Sequence, residues 1–196
     1  MMNFRFFLGA ALTSLLVSLS ASAGDQPANE FVEARHAEFV RIVKEKGSFS
    51  EAINRYFDAK VFTQRAFGSE WDGINNDENA EKIAQVGEKL KTLFHRKLQK
   101  KIKSIKDYHL EGTHIADTVG SVDQVDAKAK KDNEKKDVEL SYYVSNDKFV
   151  DVAVEHASPS SKSYYKAFMG TKAKPGPFKT NGLDGVLEYL DKQLKK

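Results

Sequence analysis

The chain has 196 residues, 40% hydrophobic and 30% charged, which suits one ordinary domain and neither a disordered tail nor a multi-span membrane protein. It has no Cys, which excludes disulfides, thiolate nucleophiles, cysteine zinc sites and a lipoprotein anchor. Lys and Arg total 31 against 28 Asp and Glu, a net charge of +3, and this near balance does not call for a nucleic-acid partner.

The opening Met1-Met2-Asn3-Phe4-Arg5 is followed by an apolar run from Phe6 to Leu19 and then Ala21-Ser22-Ala23-Gly24. The run is short of the roughly 20 residues that a spanning helix needs. A charged start, an apolar centre and a small-x-small site are the three parts of a secretory signal. We therefore expect residues 1–23 to be a signal cleaved after Ala23, and residues 24–196 to form a single exported, periplasmic domain.

Residues 28–46 read as a first helix, with Phe31, Ala34, Phe39, Ile42 and Val43 roughly on one face and Gly47 ending it. Ser48 or Ser50 starts a short second helix, and Asp58 caps a third carrying Val61, Phe62, Ala66 and Phe67. A connector with Trp71 leads to the longest helix, about 78–105. Its stripe is Ile83, Val86, Leu90, Leu93, Phe94, Leu98, Ile102 and Ile105, in steps of three and four. Beyond it the period changes. Val119, Val122 and Val125 read as spaced by loops and turns. Val138, Leu140, Tyr142 and Val144 alternate, Asn146-Asp147 reads as a turn, and Val150, Val152 and Val154 alternate again, which predicts a hairpin with one apolar face. The charged run 128–137 forms an exposed hairpin end. Residues 172–177 are a stiff, Pro-rich loop. Asn181 or Gly182 opens a closing helix, about 182–195, bearing Leu183, Val186, Leu187, Leu190 and Leu194. Helices, then a small antiparallel sheet over about 108–158, then a last helix make an α+β fold.

Chemistry is sparse. The nucleotide, nucleophile-elbow and zinc-protease motifs are all missing. His36, His95, His109, His114 and His156 have no ligand spacing, and His109 and His114, five apart in a strand, are expected on opposite faces. Neither a metal nor a cofactor is expected. Glu155 and His156 are adjacent in a strand and so point apart. The basic stretch Arg96, Lys97, Lys100, Lys101, Lys103 and Lys106 lies on the cation-favouring end of the long helix, and it reads as a solvated or docking face rather than a nucleic-acid site.

Four stretches in order resemble the MlaC family, exported phospholipid-binding proteins that serve an ABC transporter. Tyr56-Phe57-Asp58 with Val61-Phe62, Ala66-Phe67-Gly68 and Trp71 is similar to the family's F-D…L-G-x-x-W segment. The helix Ile83 to Leu98, with Leu90 and Phe94, is similar to its F-x-x-x-L-x-x-x-Y-x-x-x-L helix. The strand from Phe149 to Ser158 is similar to its W-x-V-Y-D-V-x-I-E-G-V-S strand, and Gly182-Leu183-Asp184-Gly185-Val186-Leu187-Glu188 to its closing G-x-D-G-L-L helix. Three departures stand out, at the strand end and in the loop expected beyond it: Phe149 at the Trp position, His156 at the Gly after Glu155, and the loop Pro159-Ser160-Ser161-Lys162-Ser163 where apolar residues usually follow Ser158.

The resemblance implies a helical part packed on a small curved antiparallel sheet, similar to nuclear transport factor two-like folds, enclosing an apolar cavity for acyl chains. By position against the family, it implies a cavity lining of Leu90, Phe94, Val138, Leu140, Tyr142, Val152, Val154 and Ala157. It also implies a phospholipid carrier, not an enzyme, working between an inner-membrane ABC transporter with a lipid-binding ring and an outer-membrane lipoprotein complex. Two other readings remain at this point. One is a binding protein for another hydrophobe, such as a hopanoid or an aromatic solvent. The other is a small hydrolase or isomerase, which needs a polar pair in the cavity from Tyr142, His114 or Glu155.

Overall fold

A computed structural model describes residues 26–104, 107–131, 137–154 and 158–196. The expected signal segment, Ile105, Lys106, Glu155, His156 and Ala157 lie outside the described residues.

Five helices come first. Helix α1 (Ala28–Lys44) buries Phe31, Val32, His36 and Phe39 along one face. Its ends follow the helix dipole, with Glu30 in the first turn and Arg41 and Lys44 in the last. In α2 (Phe49–Tyr56), the Ser48 side chain accepts the Glu51 backbone N–H, and in α3 (Ala59–Phe67), Asp58 accepts that of Val61 at 3.0 Å. Gly68 ends α3 at φ +55°. A Cβ there would stand 2.9 Å from the Tyr165 ring, so glycine is needed for both backbone and space. The short α4 (Trp71–Ile74) and an Asn76-capped turn lead into α5 (Ala80–Ser104). The α5 stripe Val86, Leu90, Leu93, Phe94, Leu98 and Ile102 is buried as the period requires.

The sheet is an antiparallel meander in the order β1-β2-β3-β4: β1 (His109–Val119), β2 (Val122–Lys130), β3 (Val138–Ser145) and β4 (Lys148–Val154). Asn146 and Asp147 both take positive φ, 49° and 54°, as a two-residue turn between right-twisting strands requires. The β3–β4 hairpin is the one the alternation predicts. The first hairpin corrects the reading of Val119, Val122 and Val125 as spaced by loops and turns: a turn at Gly120-Ser121 separates Val119 from its partner Val122, but Val122 and Val125 lie in one strand, where Val125 pairs with Ile115. Small Ala127 and Ala129 occupy the buried positions of β2 and hide its alternation from a hydrophobicity pattern. His109 and His114 are a second correction. Gly112, at φ +62°, sits in a bulge that inserts one residue after Glu111. His109 then pairs with Lys130 and His114 with Asp126, so both histidines share one face.

Two helices close the chain. Helix α6 (Ser160–Met169) is a third correction, because the altered stretch Pro159–Ser163 is its first turn and not a loop. Helix α7 (Pro177–Leu194) is broken at Asn181 and Gly182, and its second part carries the predicted Leu183, Val186 and Leu190 into the core. The loop before it is stiff: Thr171 N–H donates to the Lys174 carbonyl and Gly176 N–H to that of Met169, both at 2.9 Å.

The core sits between α1, α5 and the inner face of the sheet. Phe149 is its hub, with ring centroids 5.0 Å from Phe31 and 5.6 Å from both Phe39 and Tyr142. Each such aromatic pair contributes about 0.5–1.5 kcal/mol beyond its burial. On the other side of β4, α6 and α3 pack together through Phe62, Tyr164, Phe67 and Phe168. The edge of β4 is met by Phe57, and Asp58 N–H donates to the Phe149 carbonyl at 2.9 Å.

Candidate functional site

Helix α5 and strand β4 leave a cleft of about 460 Å³ between them. Its apolar surface comes from Phe94 and Leu98, one turn apart on α5, and from Val152, Ala153 and Val154 on β4. Lys97, Lys100, Lys101, Ser158 and Ser160 complete the lining. Phe94 is 2% exposed, stacked on Phe57 at 4.4 Å between centroids, so the inner end of the cleft is a fixed aromatic wall.

One of these cations, Lys97, is held by the fold. Lys97 Nζ stands 4.7 Å from the centroid of the Tyr164 ring. Burial lowers its ammonium below the usual lysine range, and Asp151 partly offsets this. Asp151 itself is fully buried on the side of β4 away from Tyr142. Its Oδ1 accepts the N–H groups of Val152 at 2.8 Å and Ser160 at 3.0 Å, and its Oδ2 accepts Ser161 N–H at 2.8 Å and Ser161 Oγ–H at 2.5 Å. A strand carboxylate thus caps α6 across the fold, which explains why a helix starts at a Pro-Ser-Ser stretch with no cap of its own. Burial raises the Asp151 carboxyl above its ordinary value, while the Ser161 donors, Val152 N–H and Arg65 pull the other way.

The predicted lining residues divide into three groups. Phe94, Val152 and Val154 meet in the cleft. Leu140 and Tyr142 face Val154 and Val152 across the β3–β4 ladder and are packed in the core, as is Leu90, one turn before Phe94. Val138 is half-buried at the start of β3, against Ala129. Ala157 lies outside the described residues.

Sequence reasoning missed the partner of Tyr142. Its hydroxyl is 2.7 Å from His36 Nδ1, and both residues are buried, while His36 Nε2 has no hydrogen-bond partner among the described residues. Burial pushes the His36 imidazole down to about 4 and the Tyr142 phenol up. The signal was present, since His36 lies on the apolar face of α1 with Phe39, but its partner is 106 residues away. The polar pair required by a hydrolase or isomerase is not assembled from Tyr142 and His114. His114 lines a groove of about 670 Å³ on the opposite face of the sheet, with Asp126, Ser141 and Tyr143. Glu155 lies outside the described residues. Among the described residues no group of three or more His, Asp or Glu could hold a metal ion.

The basic stretch is not one surface. Arg96 donates to the Leu194 carbonyl at 2.7 Å and so closes α7, Lys97, Lys100 and Lys101 turn to the cleft, and Lys106 lies outside the described residues.

A family model described as MlaC protein matches residues 32–192. The chain belongs to the MlaC family. No curated protein matches the sequence. The fold is similar to that of the phospholipid-binding protein from Ralstonia solanacearum in complex with a phospholipid. The TM-score is 0.66 with 19% identity, over 87% of this chain and 100% of that one. In this MlaC-family chain, Phe149, at the family's Trp position, is the hub of the core, and the polar stretch after Ser158 serves the Asp151-capped start of α6. Two of the three departures are thereby absorbed into the architecture; the third, His156, lies outside the described residues.

Proposed function

We propose that this chain binds a phospholipid, with acyl chains entered along Phe94, Leu98, Val152 and Val154, and shuttles it through the periplasm. The observation that carries the reading is a cleft with apolar walls on α5 and β4 and lysines along its border. Each CH₂ taken from water gains about 0.8 kcal/mol, so a soluble protein with such a slot holds a lipid tail that water would not. Membership of the MlaC family and the likeness to a fold solved with a phospholipid support the same reading. The partners are an inner-membrane ABC transporter with a lipid-binding ring and an outer-membrane lipoprotein complex. The carrier performs no covalent step.

The test is transfer of a fluorescent phospholipid from donor to acceptor vesicles. The mature protein is expected to accelerate transfer in proportion to its concentration. Val154→Asp is expected to abolish acceleration while the far-ultraviolet circular dichroism stays that of the wild type, because an ionised carboxylate in the wall opposes an apolar chain. A folded Val154→Asp protein that transfers lipid at the wild-type rate overturns the placement of the chains.

A further inference from the structure

We propose that the α5–β4 cleft selects phospholipids whose headgroup carries net negative charge over zwitterionic ones, through Lys97 and Lys100. The inference rests on the phospholipid reading above and names the lipid class within it.

Phe94, Lys97, Leu98 and Lys101 follow at i, i+3, i+4 and i+7, so one stripe of α5 presents apolar and cationic groups to the same cleft. A ligand that satisfies this stripe is an amphipath with an anion at the end of its apolar part. The lining has three ammonium groups and, among the described residues, no carboxylate. The buried acid behind it, Asp151, has both oxygens engaged by backbone and hydroxyl donors at the start of α6. Neither Lys97 nor Lys100 has a carboxylate ion-pair partner among the described residues. The amine of a zwitterionic headgroup therefore meets like charge and, among the described residues, no acceptor carboxylate, whereas a glycerol-type headgroup brings its phosphodiester charge without the opposing cation. Lys97 is held over the Tyr164 ring, so its charge is already placed before the ligand arrives. Two partly exposed charge contacts of this kind correspond to about a fivefold preference, and that preference weakens as salt rises.

The test incubates the full mature protein with vesicles of equal phosphatidylglycerol and phosphatidylcholine, re-isolates it, and quantifies bound lipid by mass spectrometry. Mixed vesicles make any general attraction to an anionic surface common to both lipids. The expected result is phosphatidylglycerol enriched about fivefold in the bound fraction, falling toward parity in Lys97→Gln/Lys100→Gln and in high salt. Stoichiometric lipid at parity in the wild type overturns the selection and leaves the carrier reading standing. Enrichment unchanged in the double variant overturns the role of these lysines. Displacement of bound lipid by millimolar glycerophosphoglycerol, which has no acyl chain, would mean a site for free phosphodiester and overturns the proposal. No bound lipid at all overturns the carrier reading and the selection with it.

Discussion

Acid should weaken this protein through His36 in particular. The residue is 3% exposed, its Nδ1 meets the Tyr142 hydroxyl, and its Nε2 has no hydrogen-bond partner among the described residues, so a second ring proton gains no acceptor there. Burial lowers the folded pKa from 6.5 to about 4. The unfolded chain takes up its proton near 6.5, whereas the folded one resists until about 4. Stability from the neutral ring is therefore complete above 6.5 and is lost as pH falls through that window. At 1.36 kcal/mol per unit, the loss by pH 4 is about 3 kcal/mol, a large share of the roughly 5–15 kcal/mol of a typical domain. His36→Phe alone removes the titration but strands the Tyr142 hydroxyl, at about 1–3 kcal/mol. The double variant His36→Phe/Tyr142→Phe is the cleaner comparison. Urea unfolding of wild type and double variant at pH 7, 6, 5 and 4 measures the difference, in which the shared carboxylates cancel. The wild type is expected to lose about 3 kcal/mol relative to the double variant between pH 7 and 4. Curves that stay parallel within about 0.5 kcal/mol would refute the reasoning, because the ring would then be open to water.

Asp151→Ala leaves the start of α6 uncapped and several buried donors unsatisfied. A loss of about 2–4 kcal/mol by denaturant unfolding is expected, and a change under about 1 kcal/mol would mean that water replaces the carboxylate. Gly176→Ala sets a Cβ 2.2 Å from the Phe168 carbonyl oxygen, so backbone must move. A cost of about 1–3 kcal/mol in the same assay is expected, and a neutral result would show the loop to be slack. Phe94→Ala removes a ring stacked on Phe57 and tilted against Phe62. It should cost about 3–5 kcal/mol, and an unaltered urea midpoint would show that the inner wall of the cleft is loosely packed.

The helical half was legible because its signals are local. The α5 stripe repeats over many turns, and Ser48 and Asp58 act within three residues of themselves. The β3–β4 hairpin was legible for the same reason, since alternating Val and Tyr flank Asn146-Asp147. What was lost depends on distant or small residues. The alternation of β2 is carried by alanines, and the face of His114 is set by a bulge at Gly112. Helix α6 has no cap in its own sequence and takes one from Asp151, a strand residue that hydropathy marks only as a charge between valines. For the site, Phe94, Val152 and Val154 line one cleft, while Leu90, Leu140 and Tyr142 sit in packed core, a division that periodicity cannot make because it separates inward from outward but not cleft from core.

Carriage of a phospholipid by this chain can be tested on the protein as cells make it. The most direct measurement is to express the full chain, purify the protein without detergent, extract it with organic solvent and identify what is bound by mass spectrometry. Diacyl phospholipid in roughly stoichiometric amount is expected. A well-folded protein that yields no amphipath, and takes none up from vesicles, would contradict the carrier reading.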